Sequence, residues 1–223
     1  LGAESMSWKI NVDATDRVAK LASDTGKRML YLSTDYVFDG TKTSPYTEED
    51  TPNPKGWYAT TKYEGEKRVM DRLGDNALII RISNPYAGHQ QVGKQDWVHK
   101  IIDRLSQNLP VGSPVDSLFS PTFIDDAVTA ILGLVTKNEH GIWHIGSALG
   151  LSPLTAARAL AVEYGFDPST ITETTYDTFY AGRAHVPKNG VLSSQKIMNF
   201  GMTPHTFEEG IRAVHAYDLA LPV

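Results

Sequence analysis

The chain has 223 residues, 41% of them hydrophobic and 21% charged, a composition that fits a packed globular protein and excludes a disordered or fibrous one. A net charge of −5 with no cluster of Lys and Arg excludes a general nucleic-acid binder, whose phosphate contacts need gathered cations. The lack of cysteine removes disulfides, thiolate metal sites and cysteine nucleophiles. No apolar run approaches a membrane span, and the start, LGAESMSWKINVDA, lacks the basic-then-apolar pattern of a signal peptide, so a cytoplasmic protein with no membrane partner is expected.

Residues 13–27 are predicted to form a helix: Val18, Leu21 and Ala22 recur on one face, and Gly26 supplies a left-handed stop. Residues 28–33 follow as a strand. Its continuous apolar run, Met29 to Leu32, marks burial on both faces of a parallel sheet. Residues 39–56 hold Gly40, Pro45, Pro52, Pro54 and Gly56 and form a long surface loop, functional or disordered at that length. A helix over residues 57–73 stops at Gly74, and ALIIRI, residues 77–82, is the next buried strand. The unit then repeats. Residues 83–93 form a loop, Asp96 caps a helix carrying Val98, Ile101, Ile102 and Leu105, and residues 110–121 are rich in Pro, Gly and Ser. Asp125 or Asp126 opens an apolar helix (Ala127, Val128, Ile131, Leu134), and IWHI, residues 142–145, is a third short strand. A mainly α/β architecture follows.

From Gly146 onward the pattern is helical with little strand signal. Ser152 and Pro153 make an N-cap and first turn for a helix that Gly165 ends, and Thr206 with Glu209 makes a capping box for a last helix through Tyr217.

The richest stretch is residues 30–66. Thr34 ends an apolar strand, while Tyr58 and Lys62 lie four apart in a helix, on one face and separated by roughly 6 Å of rise. A hydroxyl, a phenol and an amine are therefore candidates for a single site. Taken alone, the Tyr–Lys pair reads equally as a solvated helix edge. His140 and His144 straddle Gly141 and a strand start, so no metal is assigned. Trp57 and Trp97 read as packing residues. Arg81, at a buried strand end, reads as tying down the backbone in preference to meeting phosphate.

In combination, LSTDYVFDG (residues 32–40) and YATTKYEGEK (residues 58–67) resemble the extended short-chain dehydrogenase/reductase superfamily, in particular its dTDP-4-dehydrorhamnose reductase (RmlD-like) branch. RISNPYAG (residues 81–88), Pro121 with Thr122, and PKNGVL (residues 187–192) are similar to further elements of that branch, in the same order. Departures are Ala59 where Gly is frequent, Val186 where Arg is common with Arg183 nearby, and Gly190 where Ser is usual. The resemblance implies a Rossmann-like doubly wound parallel sheet, with residues 1–147 as the remainder of an NAD(P)-binding domain, 89–113 contributing to the substrate lobe, and 148–223 forming a smaller, mainly helical C-terminal substrate lobe. It also implies roughly 70 further residues ahead of Leu1, the size of a βαβαβ half with its Gly-rich pyrophosphate turn. Without such residues the strand over 28–33 would present an unpaired edge.

The implied activity is NAD(P)H-dependent reduction of a nucleotide-linked 4-keto-6-deoxy sugar. Ketone reduction leaves a developing alkoxide that needs a proton and preplaced donors. Tyr58 is the implied acid, Lys62 the cation that lowers its pKa, and Thr34 the hydrogen-bond donor at the strand end, where open α/β sheets place ligands. Ser33, Tyr58, Lys62 and Asn84 are implied contacts of NADP(H) or NAD(H), and Asp35, Tyr36, Phe38, Pro121 and Thr122 of the substrate; Asp35, Tyr36 and Phe38 read equally as packing the turn. Asn11 matches a helical Asn common in the superfamily. A homodimer is the family expectation. The alternatives are a non-catalytic regulatory or binding protein on the same scaffold, like the methionine adenosyltransferase regulatory subunit, or another nucleotide-sugar reductase or epimerase.

Overall fold

The computed structural model describes residues 2–88 and 95–220. Its first helical stretch is longer than the pattern predicts: α1 (Ala3–Trp8) continues through a π-helical turn, Lys9–Ala14, into α2 (Thr15–Asp24). A π turn inserts an extra residue, so apolar positions before it fall out of step with those after it. The buried stripe also differs from the expected one. Val12, Thr15, Ala19 and Ala22 face the core, while Val18 and Leu21 are exposed.

β1 (Met29–Thr34) leads through a 3-10 turn, Asp35–Val37, and the loop of residues 38–56 into α3 (Trp57–Leu73), which ends at Gly74 with φ of 49°. β2 (Ala77–Ile82) pairs with β1 in parallel, Met29 opposite Ala77. The predicted loop over 83–93 lies partly outside the described residues. α4 (Trp97–Ser106) starts where expected, with the Asp96 side chain accepting from the His99 amide at 2.9 Å. Then come β3 (Val111–Pro114), β4 (Leu118–Phe119), α5 (Ile124–Thr136) and β5 (Gly141–Ile145). β5 joins β2 in parallel, so the sheet order is β1-β2-β5, with β1 and β5 at its two edges among the described residues.

The remaining elements are α6 (Pro153–Tyr164), β6 (Ile171–Thr174), α7 (Tyr176–Tyr180), β7 (Asn189–Gly190), α8 (Gln195–Asn199) and α9 (Phe207–Ala220). Both predicted caps are in place: Ser152 accepts from the Thr155 amide at 3.0 Å, and the Thr206 amide donates to Glu209 Oε2 at 2.8 Å while the Glu209 amide returns to Thr206 Oγ1 at 3.2 Å. Two small pairings were not expected. Val111 lies opposite Ile171 and Leu118 opposite Asn189, both in parallel. Strands of two to four residues containing Gly or Pro carry no alternating pattern, so only the distant partner defines them.

Side chains along β2 alternate between two cores. Ala77 and Ile79 pack with Ala19, Tyr31, Val69 and Leu73 of β1, α2 and α3, while Leu78 and Ile80 pack with Ala127, Ala130, Leu134 and Ile197 of α5 and α8. Ile79 and Ile80 are both fully buried, and burial of each contributes about 1.5–3 kcal/mol. The sheet is thus wound on both faces. A third cluster, entered through Tyr86 just beyond β2, joins α4, α6 and α9 by Val98, Leu105, Leu154, Leu160, Phe207 and Ile211.

Candidate active site

Where β1 runs out, the chain turns sharply. Thr34 caps the 3-10 turn, its Oγ1 accepting from the Tyr36 amide at 3.2 Å, and this turn folds Asp35 back into the protein. Across from it, the first turns of α3 present Tyr58 and Lys62. The helix comes close enough because residue 65 is glycine: a Cβ there would stand 2.6 Å from the Asn11 carbonyl oxygen in the π-helical turn. Asn11 fastens the same contact by donating from Nδ2 to Thr61 Oγ1 at 3.0 Å.

The result is a cleft of about 360 Å³ lined by Leu32, Ser33, Thr34, Asp35, Tyr36, Tyr58, Lys62, Ile82, Asn84 and Pro85. Seven of the expected site residues, Ser33, Thr34, Asp35, Tyr36, Tyr58, Lys62 and Asn84, therefore share one cavity. Phe38, Pro121 and Thr122 do not line it. Phe38 is fully buried and stacks on Tyr46 with centroids 4.2 Å apart. The Thr122 hydroxyl donates to the Ile145 carbonyl at 2.8 Å and accepts from the Ser83 amide at 3.1 Å, and the Pro121 carbonyl accepts from the Ser147 amide at 2.8 Å. These three brace the strand ends from behind.

Hydrogen bonding connects the cleft residues into a chain. The Tyr58 phenol shares the cleft with the Thr34 hydroxyl, Thr34 Oγ1 donates to Asp35 Oδ1 at 3.0 Å, Ser83 Oγ donates to Asp35 Oδ2 at 2.8 Å, and Asn84 Nδ2 donates to Ser83 Oγ at 3.2 Å. Lys62 Nζ donates to the Leu32 carbonyl at 2.5 Å and lies 4.2 Å from the centre of the Tyr31 ring. Burial lowers the Lys62 pKa, and the Glu66 charge opposes that shift. The Tyr58 pKa is raised, by burial first and the Asp35 charge second, with the Thr34 hydroxyl opposing. Expected lowering by Lys62 is not what the geometry produces: its ammonium is committed to a backbone carbonyl, and Asp35 supplies the dominant charge on the phenol.

Burial also pushes the Asp35 carboxyl up to about 7, against the two hydroxyls that stabilise its charge. The Ser33 hydroxyl, buried on the cleft floor, has no hydrogen-bond partner among the described residues.

Arg81 is structural, but it ties down a carboxylate side chain and not the backbone carbonyls expected. It is 1% exposed and grips Glu66 of α3 with two hydrogen bonds, Nε to Oε1 at 2.9 Å and Nη2 to Oε2 at 2.7 Å. His144 lies beside it, fully buried, its Nδ1 3.2 Å from the Tyr46 carbonyl, and burial pushes its pKa down to about 3. Among the described residues no group of three or more ligating side chains could hold a metal, and no helix is long and apolar enough to cross a membrane. Trp57 packs on Trp8 with centroids 5.9 Å apart, and Trp97 stacks on Phe207 at 5.5 Å while its Nε1 donates to the Asn84 carbonyl at 2.9 Å.

Asn84 belongs to a second cavity as well. That space, about 630 Å³, is lined by Trp97, Lys100, Ile101, Arg104, Ser113, Ser117, Phe119, Phe179, Tyr180, Arg183 and Pro187, among others. Sequence reasoning missed it, since its walls come from α4, β3, α7 and two loops with no common motif; the buried, unpartnered Ser117 hydroxyl points to the same place.

A parallel sheet wound on both faces, with a strand-end hydroxyl opposite a Tyr and a Lys one turn apart on the next helix, defines a Rossmann-type protein of the extended short-chain dehydrogenase/reductase class. Residues 3–218 match the family described as the RmlD substrate binding domain, and the chain belongs to that family. It is 31% identical over 202 residues to a dTDP-4-keto-6-deoxy-D-glucose reductase of Streptomyces niveus, covering 90% of this chain and 68% of that one. It is also 31% identical over 212 residues to the bovine (Bos taurus) methionine adenosyltransferase 2 subunit beta, covering 92% of this chain and 62% of that one. It thus spans about two thirds of the length of these relatives, 68% and 62% respectively. Among solved structures, a dTDP-4-dehydrorhamnose reductase from Clostridium acetobutylicum superposes with a TM-score of 0.87 at 25% identity, covering 97% of this chain and 75% of that one. One from Bacillus anthracis in complex with NADP shares the fold with a TM-score of 0.85 at 22% identity, covering 98% and 74%.

Proposed function

We propose that this protein acts in the NAD(P)H-dependent reduction of a nucleotide-linked 4-keto-6-deoxy sugar, with Tyr58 as proton donor to the carbonyl oxygen. The observation that carries the reading is that Asn84 lines both the cleft of Thr34, Tyr58 and Lys62 and the larger cavity. The smaller space fits a reacting sugar ring, and the larger offers Lys100 and Arg183 for a diphosphate and Phe119, Phe179 and Tyr180 for a planar base. The reductase names of the similar proteins support the same substrate class.

The residues present fit the nicotinamide end of the cofactor: Ser33 has a free hydroxyl on the cleft floor, and Tyr58, Lys62 and Asn84 line the same wall. When bound, the cofactor supplies the hydride. Tyr58 delivers the proton to the carbonyl oxygen, Thr34 orients the phenol from the strand end, and Lys62 lines the cofactor side of the same cleft. The protein is inferred to work as a homodimer in the cytoplasm, as relatives of this kind are expected to.

The test is NADPH or NADH oxidation with a dTDP-linked 4-keto-6-deoxy sugar. Wild type should turn over, and Tyr58→Phe should lose about 10²–10⁴-fold in rate. An unchanged rate in Tyr58→Phe removes the acid role from Tyr58, and cofactor binding without turnover of any keto sugar favours the non-catalytic binding role.

A further inference from the structure

Asp35 is a buried acid at the cleft, and among the described residues no ion pair reaches it. The groups facing it are the Thr34 and Tyr36 neighbours on its own turn, Ser83 and Asn84 beyond β2, Tyr58 and Lys62 across the cleft on α3, and Gly190 of β7. Each nearby cation is held elsewhere: Lys62 by the Leu32 carbonyl, Arg81 by Glu66 and Lys188 by Asp116. β7 closes the remaining side, for a Cβ on residue 190 would stand 2.8 Å from Asp35 Oδ2.

We propose that Asp35 is a positioning residue that sets the direction of the Thr34 hydroxyl and, through it, where the Tyr58 proton points. The inference rests on the reading of Tyr58 as proton donor. An ionised carboxylate only accepts, so both hydroxyls beside it, Thr34 and Ser83, spend their single protons on it. Toward the phenol, which shares the cleft with it, Thr34 Oγ1 can then act only as an acceptor, and the Tyr58 proton turns onto Thr34, away from the cleft. A neutral carboxyl carries a proton of its own to give to Thr34. The Thr34 proton is thereby released toward the phenol oxygen, and the Tyr58 proton points into the cleft. The same donated bond stabilises the phenolate left after transfer. No proton leaves Asp35 in this cycle; a hydroxyl rotates. The carboxyl titrates at about 7, pushed up by burial, so both arrangements lie within working pH, and the Asp35 charge raises the Tyr58 pKa in the same sense.

The experiment reads Tyr58 without any substrate. In protein carrying ¹³Cζ-tyrosine, the Tyr58 resonance is assigned by its loss in Tyr58→Phe and followed from pH 5 to 9. A chemical-shift inflection near 7 is expected in wild type. It should vanish in Asp35→Asn, which matches Asp in size and stays neutral, and shrink in Thr34→Val, which removes the connecting hydroxyl. Ser83→Ala should move the midpoint to higher pH by deleting a donor to the carboxylate, and it stands in should Asp35→Asn fail to fold. No inflection in wild type, an inflection that survives Asp35→Asn, or an undiminished one in Thr34→Val overturns the proposal. Loss of turnover with the inflection intact faults the reaction assignment and leaves Asp35 standing, whereas turnover with no inflection faults Asp35 alone.

Discussion

Two acids, Asp35 and Glu66, are buried to the same depth, each 2% exposed, within one turn and one helix of each other around β1 and β2. Glu66 meets a guanidinium in a two-point grip that leaves neither oxygen without a partner. Asp35 meets two hydroxyls, one of which shares the cleft with Tyr58. A buried charge that is matched by an opposite charge is a structural clamp, while one held only by neutral donors has a protonation state that its surroundings can change. Burial alone does not mark a functional carboxyl; the partner does.

The largest expected effect breaks the clamp. Arg81→Met leaves Glu66 buried without a cation and should cost about 3–5 kcal/mol in urea unfolding. The double variant Arg81→Met/Glu66→Leu should recover most of that loss, because no uncompensated charge remains. A loss in the single variant no greater than that of an ordinary surface substitution would show that the pair is not a clamp. The open acid should behave in the opposite way. With its folded pKa raised from 3.8 to about 7, Asp35 binds a proton in the native state that the unfolded chain has released. Between those values stability falls as pH rises, by on the order of 1 kcal/mol per pH unit. Asp35→Asn should therefore gain stability relative to wild type as pH climbs from 4 to 7 and hold that gain above 7. His144 has the reverse sign: depressed from 6.5 to about 3, it loses stability for the fold as pH falls through that window. The two slopes offset each other in wild type, so Asp35→Asn should also unfold more steeply in acid, which pH-dependent thermal melts would record.

Much of this was legible in the sequence where a local rule decided the outcome. Ser152 with Pro153, Gly165, Asp96 and the Thr206–Glu209 box all mark ends set by a few neighbouring atoms, and the structure puts helix termini there. The strand ending in Thr34 and the helix bearing Tyr58 and Lys62 were legible from an apolar run and the turn residues that bound them, but the run is not buried on both faces as expected, since Leu32 is 46% exposed on the cleft side. What escaped depends on distant partners. The π-helical turn at Lys9–Ala14 exchanges the expected Val18–Leu21 face for one of small residues that fit against α3. β3 and β6 exist only as a pair, and the larger cavity has no wall of its own sequence. Asp35 itself was visible as a motif residue, yet its role could not be read there. A 3-10 turn buries it, and Ser83 and Gly190, from two other elements, fix its partners.

The smallest effect isolates burial from geometry. Arg72 holds Asp16 with the same two-point grip that Arg81 gives Glu66, Nε to Oδ1 at 2.9 Å and Nη2 to Oδ2 at 3.0 Å, and it likewise ties α3 to a neighbouring element, here α2. The difference is solvent, since side-chain exposures are 43% and 29% at the outer pair against 1% and 3% at the inner one. Water solvates either charge left alone at the surface, and salt screens what attraction remains. Arg72→Met should therefore cost roughly a tenth of what Arg81→Met costs, and that small loss should disappear in about 1 M salt, where the screening length is near 3 Å. The Arg81→Met loss should persist at the same salt concentration. Equal losses, or equal salt dependence, would mean that the two-point geometry and not the exclusion of water makes the inner pair a clamp, and the contrast with Asp35 would then have to rest on hydrogen-bond number alone.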